Sequence, residues 1–174
     1  MENVLLISGS LRAGSYNTAL LRAFAAALPE EATVAWADIG SLPLYNTELE
    51  ANFPPAATQL RQQILAADVV IISTPEYNRA MSGALKNAID WASRPYGENA
   101  WVGKRVLVCS VSPGSISGAL ANYQVKQSLM HLGATVLPRE FMVGSAGSKF
   151  DEAGVLTDEK TLGYVAAAVE ALGM

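Results

Sequence analysis

Apolar and polar positions follow one another along the chain in blocks that predict strands and helices in turn. Apolar runs of strand length lie at residues 4–8, 33–38, 69–73, 106–112 and 135–137, the last resuming at 141–143. Helical spacing of apolar residues occupies the segments between and after them, at 17–28, 56–66, 82–93, 119–132 and 157–172. The first, third and fourth runs are apolar nearly throughout, which is typical of strands buried on both faces of a sheet.

Alternation of strands and helices over the whole chain predicts an α/β fold with a parallel sheet between two layers of helices. Right-handed crossovers leave few topologies, and five strands favour a flavodoxin-like three-layer sandwich with the strand order 2-1-3-4-5. The 174 residues suffice for one sizeable core, and no repeat or low-complexity segment divides them. We therefore expect residues 1–174 to form a single domain.

The segment from Ser10 to Asn17 joins the first strand directly to the first helix. Its side-chain donors are Ser10, Ser15 and Asn17, and Arg12 adds a fixed positive charge. With the unsatisfied N–H groups of a helix N-terminus, this composition predicts a site for a terminal monophosphate. The dinucleotide pattern G-x-G-x-x-G and the triphosphate pattern G-x-x-x-x-G-K-[ST] are both missing. The alternative is an ordinary turn with a Ser or Asn cap.

Two further loops are expected beside the first, because ligands of such sheets bind where the strand order reverses. After strand 3, Pro75 predicts a fixed turn, Tyr77 offers an aromatic wall and Asn78 an edge contact for a flat heteroaromatic ring. The alternative is a turn that ends at a capping Ser82. After strand 4, the glycines Gly114 and Gly118 allow close approach to a ligand, although a flexible connection explains them equally well.

The chain resembles the NADPH-dependent FMN reductase family at residues 9–17, 75–78 and 83–94, in this order and spacing. The resemblance is closest to the bacterial chromate and quinone reductase branch of the family, which includes azoreductase-type members. The resemblance implies a flavodoxin-like domain that holds FMN non-covalently. It assigns cofactor binding to the following residues: Ser10, Arg12, Ser15, Tyr16 and Asn17 around the phosphate, Pro75, Glu76, Tyr77 and Asn78 along the isoalloxazine, and Ser112 and Gly114 on its other side.

The same resemblance implies the reaction. NADPH or NADH would give a hydride to flavin N5, and the electrons would pass to a small-molecule acceptor, namely a quinone, chromate, an azo compound or free flavin. Because the flavin carries this chemistry, no side chain is predicted to be catalytic. The residue after Asn78 is Arg79, where other members often carry an aromatic residue, and it would place a positive charge near the flavin.

The family also implies homodimers or homotetramers, and Tyr123, Glu140 and Arg79 lie in segments that would contribute to subunit contacts. The main alternative to an enzyme is a non-enzymatic flavodoxin-type electron carrier. A signalling receiver module would need acidic residues where this chain has Ser8 and Thr74, and a dehydrogenase would need the missing glycine pattern.

Composition narrows the other possibilities. The net charge is −4 and no basic stripe occurs, which argues against nucleic acid as a partner. No stretch is long enough to span a membrane and no secretion signal is visible, so we expect a cytoplasmic protein. Cys109, the single cysteine, lies in an apolar run and is expected in the core. His131, the single histidine, is expected at a helix end, and no cluster of metal ligands occurs.

Overall fold

The computed structural model describes residues 2–174 and contains eight strands and five α-helices within them. The strands are β1 (Asn3–Ser8), β2 (Thr33–Trp36), β3 (Val69–Thr74), β4 (Glu76–Tyr77), β5 (Ala80–Met81), β6 (Arg105–Val111), β7 (Thr135–Val136) and β8 (Phe141–Val143). The helices are α1 (Tyr16–Ala27), α2 (Pro55–Ala66), α3 (Gly83–Ala92), α4 (Ala119–His131) and α5 (Glu159–Ala171), with 3₁₀ turns at Thr47–Asn52 and Ala146–Ser148. Within these residues no helix is both long and apolar enough to cross a membrane.

The main sheet is parallel and has the order β2-β1-β3-β6-β7, which confirms the predicted flavodoxin-like order 2-1-3-4-5. β3 is central: it pairs with β1 from Val4↔Val69 to Ser8↔Ser73 and with β6 from Val69↔Arg105 to Thr74↔Ser110. All six residues of β3 are buried. From β1 the chain continues to β2 on one side of β1 and later to β3 on its other side. The loops after β1 and β3 therefore diverge and leave a crevice between them.

The predicted fifth strand consists of two short pieces along the same partner. β7 pairs with the start of β6 at Arg105↔Thr135, and β8 pairs with its end at Cys109↔Phe141. Pro138 lies between the two pieces and has no N–H to donate to a ladder, so the interruption follows from the sequence.

Two apolar cores cover the two faces of the sheet. Alternate residues of β1 divide between them, with Leu5 and Ile7 facing α2, α3 and α4, and Val4 and Leu6 facing α1 and α5. The first core includes the fully buried Trp91 and Trp101. Strands covered on both sides in this way must be apolar throughout, as the sequence indicated.

The hairpin formed by β4 and β5 is the element that the sequence analysis did not predict. It replaces the simple turn expected after β3, and its two strands pair antiparallel at Glu76↔Met81 and Tyr77↔Ala80. The other differences are shifts of one or two residues at helix ends and at the end of β2. α3, for example, begins at Gly83 because Ser82 is its N-cap and accepts the Leu85 N–H at 3.2 Å.

Cys109 provides a test of the packing around β6. Its thiol is fully buried and donates to the Ile72 carbonyl at 3.2 Å, and burial raises the pKa of Cys109 to about 12. Thiolate, the reactive form, is therefore scarce at pH 8. We expect no reaction with a thiol-specific chromogenic disulfide in native buffer and one equivalent of reaction in denaturant. Fast native labelling at pH 8 would show that the core opens readily at β6.

Candidate functional site

Three loops meet at the carboxyl ends of β1, β3 and β6 and surround a cavity of about 210 Å³. The cavity is lined by Ser10, Arg12, Ser15, Tyr16, Asn17, Pro75, Glu76, Tyr77, Val111, Ser112 and Pro113. The structure thus brings nine of the eleven sequence-predicted site residues to one place. Asn78 and Gly114 belong to the same loops but not to the lining. Val111 and Pro113 are lining residues that the sequence analysis missed, because neither carries a polar side chain that would mark it.

The loop after β1 is fixed at its base by hydrogen bonds to β3 and α3. The Gly9 N–H donates to the Ser73 carbonyl at 2.8 Å, and the Ser82 hydroxyl donates to the Gly9 carbonyl at 2.5 Å. A Cβ at Gly9 would lie only 3.0 Å from Pro75 Cδ and 3.2 Å from the Ser73 oxygen. Any larger residue at position 9 would push the loop after β1 away from the loop after β3.

Beyond Gly9 the loop presents a cationic, donor-rich surface. Ser15 caps α1, and its hydroxyl oxygen accepts the Asn17 N–H at 3.2 Å. The other N–H groups of the first helical turn have no intrahelical acceptor. The Arg12 guanidinium lies over the Tyr16 ring, 5.9 Å from its centroid, close to these groups. Backbone donors, a positive helix end and an arginine are the groups that an anion site requires.

Asn17 is a buried bracket between the strands β3 and β6 rather than a freely exposed donor. Its side-chain oxygen accepts from the Val111 N–H at 3.1 Å and from the Ser73 hydroxyl at 2.8 Å, and its amide nitrogen donates to the Val111 carbonyl at 3.2 Å. The amide therefore pairs with both backbone groups of Val111, as a neighbouring strand would. One amide hydrogen of Asn17 is left over for a ligand. No local pattern in the sequence indicates this pairing over 94 residues.

The hairpin after β3 turns tightly at Asn78 and Arg79, which have φ values of +51° and +65°. This left-handed conformation is tolerated by asparagine and is uncommon for arginine. The turn leaves the Tyr77 side chain 54% exposed at the edge of the cavity. An exposed ring at the end of a rigid hairpin is suited to be one wall for a flat ligand.

Helix α4 holds this hairpin in place through both of its strands. Glu76 Oε2 accepts the N–H groups of Leu120 at 3.0 Å and Ala121 at 3.2 Å, so its carboxylate caps α4. The Met81 N–H donates to the side-chain oxygen of Gln124 at 3.1 Å. Arg79 lies 3.6 Å from the other oxygen of Glu76, so its charge near the cavity is partly compensated. These contacts are absent from the sequence prediction because they join segments far apart in the chain.

The loop after β6 is ordered by its own hydrogen bonds. The Ser112 hydroxyl oxygen accepts the Gly114 N–H at 3.1 Å, and the Ser110 hydroxyl donates to the Ser117 carbonyl at 2.7 Å. Gly118 has a φ of +73° and directly precedes α4. A Cβ at Gly114 would meet only the Ser112 hydroxyl, at 3.6 Å, so protein contacts alone do not require glycine there.

Titratable side chains contribute little to the cavity itself. Glu76 is the one carboxylate among its lining residues, and it is engaged at the end of α4. His131 lies exposed in the last turn of α4, as expected. Tyr123 donates to the Glu140 carboxylate, and this hydrogen bond raises the pKa of Tyr123. The cavity is therefore equipped to bind and orient an anionic planar ligand, with no free acid or base beside it.

Comparisons with known proteins agree with this geometry. The sequence model described as NADPH-dependent FMN reductase matches residues 3–148. A quinone reductase from Pseudomonas putida is 45% identical over 170 residues, which cover 97% of this chain and 91% of that protein. An NAD(P)H-dependent FMN reductase from Pseudomonas aeruginosa is 44% identical over 171 residues, 97% of this chain and 92% of that protein.

A solved structure is similar over its whole length. The flavoenzyme NAD(P)H:(acceptor) oxidoreductase FerB from Paracoccus denitrificans superimposes with a TM-score of 0.89 at 37% identity, covering 99% of this chain and 95% of that one.

The Asn17 bracket gives a test that separates architecture from ligand binding. Asn17→Ala removes the partners of the Val111 N–H and C=O and of the Ser73 hydroxyl, all of them buried. Unsatisfied buried groups cost about 1–3 kcal/mol each, so we expect a loss of about 3 kcal/mol in the free energy of unfolding. Urea unfolding of the ligand-free protein measures it.

Arg12→Ala is the matched control for Asn17→Ala, because Arg12 lines the same cavity from an exposed position. We expect it to change the free energy of unfolding by less than about 0.5 kcal/mol. Equal stability of the two variants would show that Asn17 is not a structural bracket.

Proposed function

This chain belongs to the NADPH-dependent FMN reductase family, and we propose that it passes electrons from NADPH or NADH, by way of FMN, to quinones. The main support is one cavity between β1 and β3, the strands at which the order of the sheet reverses. Three loops line this cavity and supply cationic and donor groups together with an aromatic wall. FMN has one phosphate and one flat ring system, and the residues present fit both ends. Residues 1–174 act in this proposal as one FMN-binding domain.

The phosphate end of the cofactor is assigned to the loop after β1. Arg12 provides the positive charge, the hydroxyls of Ser10 and Ser15 provide donors, and the first turn of α1 provides free N–H groups. Tyr16 supports Arg12 through its ring. Asn17 offers its one remaining amide hydrogen. Every one of these groups is a donor or a cation, which suits a phosphate dianion.

The ring end is assigned to the other two loops. Pro75 and Tyr77 contribute apolar and aromatic surface, and the backbone of Glu76 contributes edge contacts. Asn78, which lies outside the lining in the turn of the same hairpin, is assigned a further edge contact. Ser112 closes the opposite side, and the open space above Gly114 allows the ring to approach the backbone. The Glu76 side chain acts on the ring indirectly, because it fixes the hairpin to α4.

FMN supplies the redox chemistry when bound, accepting hydride equivalents from the nicotinamide and releasing electrons to the acceptor. The chain's own contribution is orientation. The hairpin, held at two points by α4, fixes the wall at Tyr77, and the Asn17 bracket fixes the phosphate loop relative to β6. Since Glu76 is occupied at α4, no lining carboxylate is available to move a proton. We therefore assign no catalytic side chain.

Among acceptors we place quinones first, because curated relatives at 37–45% identity carry quinone reductase names. Chromate, azo compounds and free flavin are further expected acceptors, since reduced flavin reacts with many oxidants that reach it. The alternative of a carrier without enzymatic activity is less well supported, because the relatives are named as reductases.

A homodimer or homotetramer in the cytoplasm completes the proposal. Exposed apolar side chains gather beside the cavity on the α4 side: Tyr77, Ile116, Leu120 and Tyr123. Covering this surface with a second copy would also shield the ring end of the site. The chain has a single cysteine and therefore no internal disulfide that would call for an oxidising compartment.

The first experiment is a visible absorption spectrum of the protein reconstituted with FMN, recorded before and after NADPH is added without oxygen. We expect a flavin spectrum that bleaches with NADPH and returns when a benzoquinone is added. A bound flavin that stays oxidised with both NADPH and NADH would favour the electron carrier. Failure to bind FMN would refute the assignment of the three loops.

Arg12→Ala tests the phosphate assignment. Loss of a charge-assisted hydrogen bond to phosphate is worth about 1.5–3 kcal/mol, so we expect FMN to bind about ten- to a hundredfold more weakly. Fluorescence titration of the apoprotein measures the Kd. Arg12→Lys keeps the charge without the planar donor fork, and we expect its Kd for FMN to lie between those of the unmodified protein and of Arg12→Ala. An unchanged Kd in Arg12→Ala would place the phosphate elsewhere.

A further inference from the structure

A second cavity, of about 290 Å³, opens on the outer side of the phosphate loop. Arg12, Ser15 and Tyr16 line both this cavity and the first one. The two spaces are therefore separated by the very residues assigned to the cofactor phosphate. Beyond them the second cavity is bounded by α1 and by the turn at residues 151–154.

The α1 side of this cavity carries a second arginine on the same helical face as the cap. Ser15, Ala19 and Arg22 are spaced four and three residues apart, so they form one stripe along the helix. Ala19 is small and leaves room between the other two. Arg22 lies about 10 Å along the axis from Ser15, and long helical side chains lean back toward the N-terminus. Both Arg22 and Arg12 are exposed.

The two arginines are available to a ligand. In the part of the chain that the structure describes, the ion pairs involve other arginines and lysines, and neither Arg12 nor Arg22 takes part in one. Two separate guanidinium groups thus border a continuous space, one in the phosphate loop and one further along α1. Two cations on one cavity are suited to a ligand with two linked phosphates.

The opposite side of the second cavity is an acidic turn. Asp151 Oδ1 accepts the Val155 N–H at 2.8 Å, and the Asp151 carbonyl accepts the Gly154 N–H at 2.9 Å, which holds the turn closed. Asp151 and Glu152 both line the cavity and are exposed. A carboxylate is the group that binds the ribose hydroxyl in dinucleotide-binding folds.

We propose that the second cavity receives the adenylate half of FAD, so that the chain binds FAD as well as FMN. The proposal rests on the proposed function, because it takes the first phosphate to lie at Arg12. The second phosphate is assigned to Arg22, and the adenosine ribose to the carboxylates of the 151–154 turn. The phosphate end of the cofactor site is then open to a longer ligand rather than closed around a monophosphate.

The test is a pair of fluorescence titrations of the apoprotein, one with FMN and one with FAD. We expect the two Kd values to agree within about threefold in the unmodified protein. Arg22→Gln removes one exposed charge and keeps an unbranched polar side chain, and we expect it to weaken FAD about fivefold and FMN less than twofold. Lys160→Gln, an exposed lysine on α5 outside both cavities, is the matched control and is expected to change neither value.

The outcomes separate the two proposals. FMN binding with FAD at least a hundredfold weaker, or an Arg22→Gln variant that weakens both flavins equally or neither, would overturn the adenylate assignment and leave the FMN site intact. Failure of both flavins to bind would overturn the FMN site itself. Selective weakening of FAD in Arg22→Gln supports the second cavity as the adenylate position.

Discussion

The site depends on how the backbone of β6 is satisfied above the point where β3 ends. β3 pairs with β6 as far as Thr74↔Ser110, and Pro75 then leads the chain away. Val111 would be left with an unpaired N–H and C=O inside the protein, which is costly. Asn17 supplies both partners from the start of α1. One side-chain amide thereby lets the sheet open into a cavity without leaving buried polar groups unsatisfied.

The same bracket explains why the three loops behave as one unit. Asn17 lies in the first turn of α1, directly after the loop that follows β1, and contacts β3 through Ser73 and β6 through Val111. On the far side, Glu76 joins the loop after β3 to α4, which begins where the loop after β6 ends. Each loop is therefore joined to a neighbouring element either by a buried hydrogen bond or by a hydrogen bond that caps a helix. Such preorganisation means that little ordering is required when a ligand binds.

The sequence was sufficient for the architecture because the architecture depends on local and periodic signals. Nearly continuous apolar runs identified β1, β3 and β6, and the apolar stripe from residue 17 onward identified α1 to within one residue of its start. The hairpin was not predictable in the same way. Its turn contains Asn78 and Arg79 in left-handed conformation with no glycine, and its stability comes from Glu76 and Gln124 contacts with α4. Contacts over 43–45 residues leave no mark in a local pattern.

Asn17 and Glu76 show that a residue can line the predicted cavity while most of its side chain is engaged elsewhere in the protein. Both line the cavity, as the family resemblance implies, yet most of the hydrogen-bonding capacity of each side chain is directed at backbone groups of the protein. A position can therefore be required for cofactor binding because it holds a loop rather than because it touches the ligand. In the proposed function, ligand preference then depends on lining side chains that are not engaged in this way, above all Arg12 and Tyr77.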